Sequence, residues 1–263
     1  MLLTLTAVFW SKYIFYDTHS NAPREQALSF LSCRDRQPEL MDQPGLDASV
    51  HRHALAGLGK ANALSRVAQQ IWRAITKDKI QRVNGSPLRV LDIASGGGDV
   101  AIRIAALAHR DGVPIEICGC DISATAIAYA RFAAEQAGFS NITFRQLNAL
   151  TDPLEEYDVV MNTLFLHHLG DEEARELLRR MAVAARHLAI VDDLQRTGLG
   201  YFYAWAGVRL LTGSQIVHTD GPLSVRAAFT RHEAAALARD AGWRDIRIQA
   251  HWPQRFLMSW KKL

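Results

Sequence analysis

Hydrophobic spacing divides this chain near residue 87. From Leu46 to Ile75, apolar side chains recur at threes, fours and near multiples (Leu46, Val50, Leu55, Leu58, Leu64, Val67, Ile71). That spacing predicts two short amphipathic helices broken around Gly57–Gly59. Asn84-Gly85-Ser86-Pro87 then predicts a turn, after which the period changes.

Beyond the turn, short apolar runs alternate with helical ones. Strands are predicted over 89–94, 115–120, 142–147, 157–164 and 187–192, and helices over 99–108, 123–136 and 171–186. Ser123 is placed to cap the second of these helices, and Gly138 suits its end. Strands alternating with helices of this length predict βαβ units in a doubly wound α/β fold, its mostly parallel sheet covered on both faces. An aromatic stretch, 198–211, is read as helical and is followed by a polar loop through Pro222. A helix over 230–241 opens with Thr230 and Glu233 in capping-box spacing. Two last strands flank Pro253 and predict an antiparallel hairpin on the sheet edge, which puts one reversed strand in the sheet.

Composition adds bounds. With 263 residues, 49% hydrophobic and 22% charged, the chain suits one large α/β domain with a full core. A net charge of +3 with scattered basic residues argues against a nucleic-acid partner. Cys118 and Cys120 fall two apart in a strand and share a face, so they cannot bridge each other, and no further ligands follow at metal-site spacing. Reduced thiols in a cytoplasmic protein without a metal are therefore expected. The first residues are apolar and aromatic but too short a run to span a bilayer, and no stable membrane insertion is expected. Residues 1–40 read as an extension outside the folded domain and a candidate for disorder; residues 41–263 read as the domain, with 41–86 its N-terminal helices and 198–229 a cap over the substrate.

The strongest local signal is a strand, then Gly96-Gly97-Gly98, then a helix opening at Asp99. Glycines let backbone approach a ligand closely, and a helix start offers free N–H groups. Asp121, ending the next strand, stands where a carboxylate accepts ribose hydroxyls. Gly96 to Ala101 also satisfies the G-x-G-x-x-G/A pattern of nicotinamide-cofactor folds. A nicotinamide-dependent oxidoreductase is thus one alternative, and a non-catalytic nucleoside-binding protein is another. Asp92 just before the loop and the terminal hairpin, in place of a second βαβ half, weigh against NAD.

With these residues, 88–262 resembles a class I S-adenosylmethionine-dependent methyltransferase of small-molecule type. The family's D-x-G-x-G-x-G motif stands here as Asp92-Ile93-Ala94-Ser95-Gly96-Gly97-Gly98. Ala94 in the first glycine position is similar to the ubiquinone and menaquinone C-methyltransferases, and its methyl is tolerable if the residue keeps φ below zero. The resemblance implies a seven-stranded sheet with the last strand reversed and S-adenosylmethionine as cofactor. It implies that Asp92, Ala94, Gly96 and Gly98 line the methionine and ribose portion, Asp121 holds the ribose, Ile122 packs on adenine, Asn148 and Ala149 meet the adenine edge, and Asn162 meets the amino-acid end. Leu166-His167-His168-Leu169 resembles a segment frequent in small-molecule members, and the stretch from Asp192 to Arg226 resembles a subgroup acting on phenolic or polyketide products.

A small acceptor is expected, methylated on a phenolic hydroxyl, with C-methylation of a quinol-like acceptor as the alternative. A hydroxyl acceptor needs a base, and His167, His168 and His218 are the candidates, with Asp193 or Asp220 to orient one of them. His51 and His53 read as surface, Asp171-Glu172-Glu173 as charge favourable at a helix start, and Tyr201 to Trp205 as cap core or pocket wall. A homodimer is compatible with all of this.

Overall fold

The structure, a computed structural model, describes residues 30–43, 45–78, 80 and 85–262. The aromatic-rich start, residues 1–16, lies outside them. Seven strands form one sheet: β1 Leu88–Ile93, β2 Ile115–Asp121, β3 Ile142–Gln146, β4 Tyr157–Thr163, β5 Ala185–Leu194, β6 Arg247–His251 and β7 Arg255–Lys261. Their order is β3-β2-β1-β4-β5-β7-β6. The first five are parallel, while β7 runs antiparallel to both β5 and β6. The terminal hairpin thus inserts its second strand beside β5, as the sequence predicts for a single reversed strand.

Strand residues alternate between two cores, as the pleat requires. Val90, Ile117, Val159, Met161 and Ile190 face a first cluster. It is filled by α2 (Val67–Lys77), α3 (Asp99–Arg110) and α4 (Ala124–Gln136). Leu91, Cys118, Cys120, Val160 and Val191 face a second, filled by α5 (Asp171–Ala184), α8 (Arg231–Asp240) and Trp243. Cys118 and Cys120 share a face and are buried, whereas Cys33 is exposed. Burial pushes the Cys120 thiol up to about 12.

Three local expectations change. The first helix, α1 (Ala48–Ser65), runs unbroken through Gly57 and Gly59; the break falls at Arg66, in the left-handed conformation at φ +56°. Gly57 is held in the helix by packing: a Cβ there would lie 2.8 Å from Thr212 Oγ1. After α6 (Gly198–Leu211), the polar loop shrinks to residues 212–214, and α7 (Gln215–Ala227) contains Pro222. Its buried stripe, Ile216, Val217, Asp220, Ser224 and Val225, has helical spacing, and that packing outweighs the one hydrogen bond a proline removes. Finally, residues 30–43, expected to lie mostly outside the domain, form a strap across α7 and the turn after β4. Arg34 stacks 3.5 Å from the Phe229 ring centroid and donates to Ala227 O at 2.8 Å, His167 O at 3.2 Å and Leu169 O at 2.8 Å. Asp220 accepts the Leu40 and Met41 N–H groups at 2.9 and 3.0 Å.

Candidate active site

Strand order reverses between β1 and β4, and in open α/β sheets ligands bind beyond the carboxyl ends of strands at such a point. A cavity of about 1020 Å³ opens there, roofed by α1, α6, α7 and the strap. That volume suits a nucleoside-sized cofactor together with a small second molecule.

The loop after β1 makes its floor. Ala94, Gly96 and Gly98 all adopt positive φ, at +54°, +50° and +75°. Ala94 therefore does not keep the negative φ expected for it: the turn out of β1 needs the left-handed region whatever residue stands there. Asp121 ties the loop down by accepting Gly96 N–H at 2.9 Å and Ser123 N–H at 2.9 Å. Burial pushes its carboxyl up, against the pull of those N–H groups. Asp92, fully buried, lies well above the usual carboxylate range through burial and then the charges of Asp99 and Asp121. Asp99 is raised by burial too, partly offset by the Asn62 amide at 3.4 Å.

Asp92, Ala94, Gly96, Asp121, Ile122, Asn148 and Ala149 all line the cavity. Ile122 is 66% exposed, open for a planar group to cover it. Asn148 does not present its amide oxygen freely, because Leu150 N–H donates to Oδ1 at 3.0 Å. Two cofactor residues are corrected. Gly98 is not among the lining residues; it is needed because a Cβ would lie 2.6 Å from Phe144 Cζ. Asn162 is likewise outside the lining, its Nδ2 turned to Met181 Sδ at 3.1 Å, because its side chain falls on the α5 face of β4. The neighbouring Thr163 lines the cavity in its stead.

The histidines separate. After β4, a single 3-10 turn (Leu166–His168) tucks His167 against the end of β5. There Asp193 Oδ1 lies 2.6 Å from His167 Nδ1, and Asp193 Oδ2 accepts the His167 N–H at 3.1 Å. Burial pushes Asp193 up, but the neighbouring His167 outweighs it and leaves the carboxyl below its ordinary value. His168 pairs through Nδ1 with Asp42 Oδ2 at 2.8 Å, its ring 4.3 Å from that of His167. Burial alone would lower His168, but the hydrogen bond to Asp42 and the charge of Glu39 raise it to about 9. His218 does not join them: it lies outside the lining, with Nε2 2.7 Å from Thr212 O, closing the turn before its own helix. Asp220 orients no histidine because its two oxygens hold the strap.

Several lining residues escape sequence reading. Glu39 places Oε1 3.7 Å from His167 Nε2 and Oε2 3.9 Å from His168 Nε2, and accepts the Ser224 hydroxyl at 2.6 Å. Arg255 opens β7, holding Asp192 Oδ1 at 2.7 Å through Nε and Asn62 Oδ1 at 3.0 Å through Nη1. His51, read as surface, also lines the cavity. Only the Glu-to-His and Arg-to-Asp charge complementarity could have signalled these pairs, and it does not say which partners meet.

Among the described residues, six buried side-chain polar atoms lack a hydrogen-bond partner: Asn162 Oδ1, Arg226 Nε, Arg255 Nη2 and, on residues lining the cavity beside the glycine loop, Ser95 Oγ, Asp99 Oδ2 and Thr163 Oγ1. Buried polar groups are normally satisfied, so three orphans around one loop mark a ligand's place. The opposite end is apolar. Leu64, Tyr203, Leu210 and Trp252 line the cavity and remain 38 to 72% exposed, forming its rim.

Comparison with known proteins agrees with this geometry. The profile of the family described as "Methyltransferase domain" matches residues 84–183. A ubiquinone biosynthesis O-methyltransferase from Cereibacter sphaeroides is 32% identical over 146 residues, 55% of this chain and 56% of that protein, so the match spans little over half of the relative's length. Among solved structures, magnesium protoporphyrin IX methyltransferase from Synechocystis PCC 6803 with bound SAH superposes with a TM-score of 0.55 at 18% identity, covering 85% of this chain and 91% of that one. A SAM-dependent methyltransferase from Aquifex aeolicus gives a TM-score of 0.58 at 16% identity, covering 83% of this chain and all 100% of the other. At these identities the superpositions show the fold: a Rossmann-like α/β sheet with its last strand reversed. No helix among the described residues is long and apolar enough to cross a membrane.

Proposed function

We propose that this chain, which carries a methyltransferase domain over residues 84–183 on the class I fold, transfers a methyl group from S-adenosylmethionine to a hydroxyl of a small, largely apolar acceptor. The three orphaned polar atoms around the glycine loop carry the reading: they and the raised carboxyls of Asp92 and Asp99 suit a ligand that is cationic at its amino-acid end and polar at its ribose. When bound, the cofactor supplies an electrophilic methyl on a sulfonium centre. Asp121 holds the ribose end and Gly96 and Gly97 let it approach, while Ile122 and Ala149 flank the base. Methyl transfer is an in-line displacement, so alignment is most of the protein's contribution. An oxygen–carbon bond forms, the carbon–sulfur bond breaks with its electron pair going to sulfur, and the acceptor hydroxyl gives up its proton. That proton is lost at the His167–His168–Glu39 cluster, where Asp193 fixes the His167 ring and the apolar rim admits the acceptor. A hydroxyl acceptor is supported by this cluster and by the O-methyltransferase similarity at 32% identity.

Calorimetry with S-adenosylmethionine, S-adenosylhomocysteine and NAD, followed by transfer of labelled methyl to a panel of phenols and quinols, tests the proposal. Asp121→Asn is expected to weaken adenosyl-ligand binding by at least about tenfold, consistent with loss of charged hydrogen bonds. His167→Gln is expected to leave that binding intact and to lower kcat by roughly 10²- to 10⁴-fold, the usual range for proton transfer. Tighter binding of NAD than of either adenosyl compound would sink the reading.

A further inference from the structure

The arrangement around His167 and His168 has a chemical peculiarity. Each ring turns Nδ1 to a carboxylate, Asp193 at 2.6 Å and Asp42 at 2.8 Å. An ionised carboxylate only accepts, so both Nδ1 atoms carry a hydrogen, and each Nε2 is the ring nitrogen left for a further partner. Both Nε2 atoms face the same third carboxylate, Glu39, at 3.7 and 3.9 Å. Two imidazole nitrogens and a carboxylate thus converge on one point, the donor types that a transition-metal cation takes. Asp42, Asp193 and Asp220 add further negative charge around the pair. The guanidinium groups of the strap do not enter the cluster. Arg34 and Arg36 turn instead to the backbone carbonyls of His167, Leu169 and His168 and to Asp171 and Glu173.

We propose that Glu39, His167 and His168 bind a divalent transition-metal cation, zinc being the best match, at the acceptor end of the cavity. Their ligand atoms all lie within 4.8 Å of one another. Tetrahedral ligands on bonds of about 2.05 Å stand about 3.3 Å apart, so donors within 4.8 Å of one another would close by up to about 1.5 Å on binding. Two imidazoles and one carboxylate leave a fourth position open, as catalytic zinc sites do. Imidazoles that donate Nδ1–H to carboxylates are the usual outer support of such ligands, fixing the tautomer and ring direction. A magnesium ion, which prefers an all-oxygen set, fits poorly. The inference rests on the reading above for its purpose: the open position would take the acceptor hydroxyl and polarise its oxygen, the proton passing to solvent because both Nε2 atoms would then hold the cation in place of serving as base. It departs from the metal-free expectation of the sequence because Glu39 comes from the strap, far away in the chain.

Calorimetry on the full chain, stripped with a chelator and titrated separately with Zn²⁺, Mn²⁺ and Mg²⁺, tests the site. One Zn²⁺ per chain is expected, with Mg²⁺ weaker by at least about 100-fold. Glu39→Gln and His168→Gln should each weaken Zn²⁺ by at least about tenfold, Asp42→Asn by about 10- to 100-fold, and His53→Gln, on the outer face of α1, should not change it. Circular dichroism checks that the variants fold. Cobalt bound to the unaltered chain should show the visible absorption of a nitrogen- and oxygen-ligated, low-coordinate ion. No one-to-one binding, unchanged affinity in both Glu39→Gln and His168→Gln, or no cobalt spectrum overturns the site. S-adenosylmethionine binding is measured on the same preparations. If it persists without a bound cation, only the metal site falls; if the cation binds and the adenosyl compound does not, the metal site stands and the methyltransferase reading falls.

Discussion

At position 94 an alanine occupies φ +54°, a region that costs an L side chain about 1–2 kcal/mol. Glycine loses that strain but adds freedom to the unfolded chain, which takes back part of the gain. Ala94→Gly is therefore expected to stabilise the protein by about 0.5–1 kcal/mol, seen as a higher urea midpoint at unchanged slope. A lower midpoint would mean that the methyl's packing against the second core outweighs the strain. The residue types of the loop were legible because strand, glycines, helix and acid follow each other locally. The sign of one φ was not, nor was the inward turn of Asn162, because both depend on neighbours distant in the chain. His167 and Asp193, which lie at the ends of neighbouring parallel strands, sat within reach of sequence reasoning; the residues delivered by the strap did not.

At the scale of elements, helices read from period alone were placed well where caps agreed, as with Thr230 and Glu233 before α8. Punctuation residues misled: Gly57, Gly59 and Pro222 each lie inside a helix that tertiary packing holds straight. The strap shows the opposite failure, since it has no hydrophobic period and is held by side-chain-to-backbone bonds. Arg34→Ala removes three of them, the pair with Asp171 and the stacking on Phe229. It is expected to cost about 1–3 kcal/mol in thermal unfolding and to lower turnover with adenosyl-ligand affinity unchanged. Equal losses of affinity and turnover would place the damage in the core and not in the strap. A second anchor has a pH signature. Arg196, buried, donates to Leu31 O at 2.9 Å and Ala228 O at 2.7 Å and pairs with Glu233 at 2.6 Å. Burial raises Glu233, but the hydrogen bond from Arg196 outweighs it and holds the carboxyl below its ordinary 4.5. A depressed carboxyl stabilises the fold fully above 4.5, and that contribution drains away as the pH falls through the lower folded value. Glu233→Gln should therefore lower Tm at pH 7, with the gap to the unaltered chain closing in acid. A gap constant from pH 7 to pH 3 contradicts the pairing.

For the whole molecule, the α/β class, the two-faced sheet and the reversed strand followed from alternation, hairpin signals and family resemblance. The shape of the cavity did not. It is assembled from the glycine loop, the turn after β4, the start of β7, two cap helices and a strap from well before β1. Its lining is not uniform: Asp92, Asp99, Ser95 and Thr163 stand beside the glycine loop, and Glu39, His167 and His168 beneath the strap. Under the proposed function, the nucleoside lies deep against β1 and the acceptor beneath the strap.

The thiols described with the fold have a practical consequence. Cys33 sits exposed on the strap, while Cys118 and Cys120 are buried within the sheet, the latter with its thiolate suppressed. These are all the cysteines the chain has. A maleimide fluorophore offered to the native protein at neutral pH will therefore attach at one position, three residues before Arg36. The unaltered chain comes with its own reporter on the segment that carries Glu39, and its emission should register the moment a ligand settles beneath it.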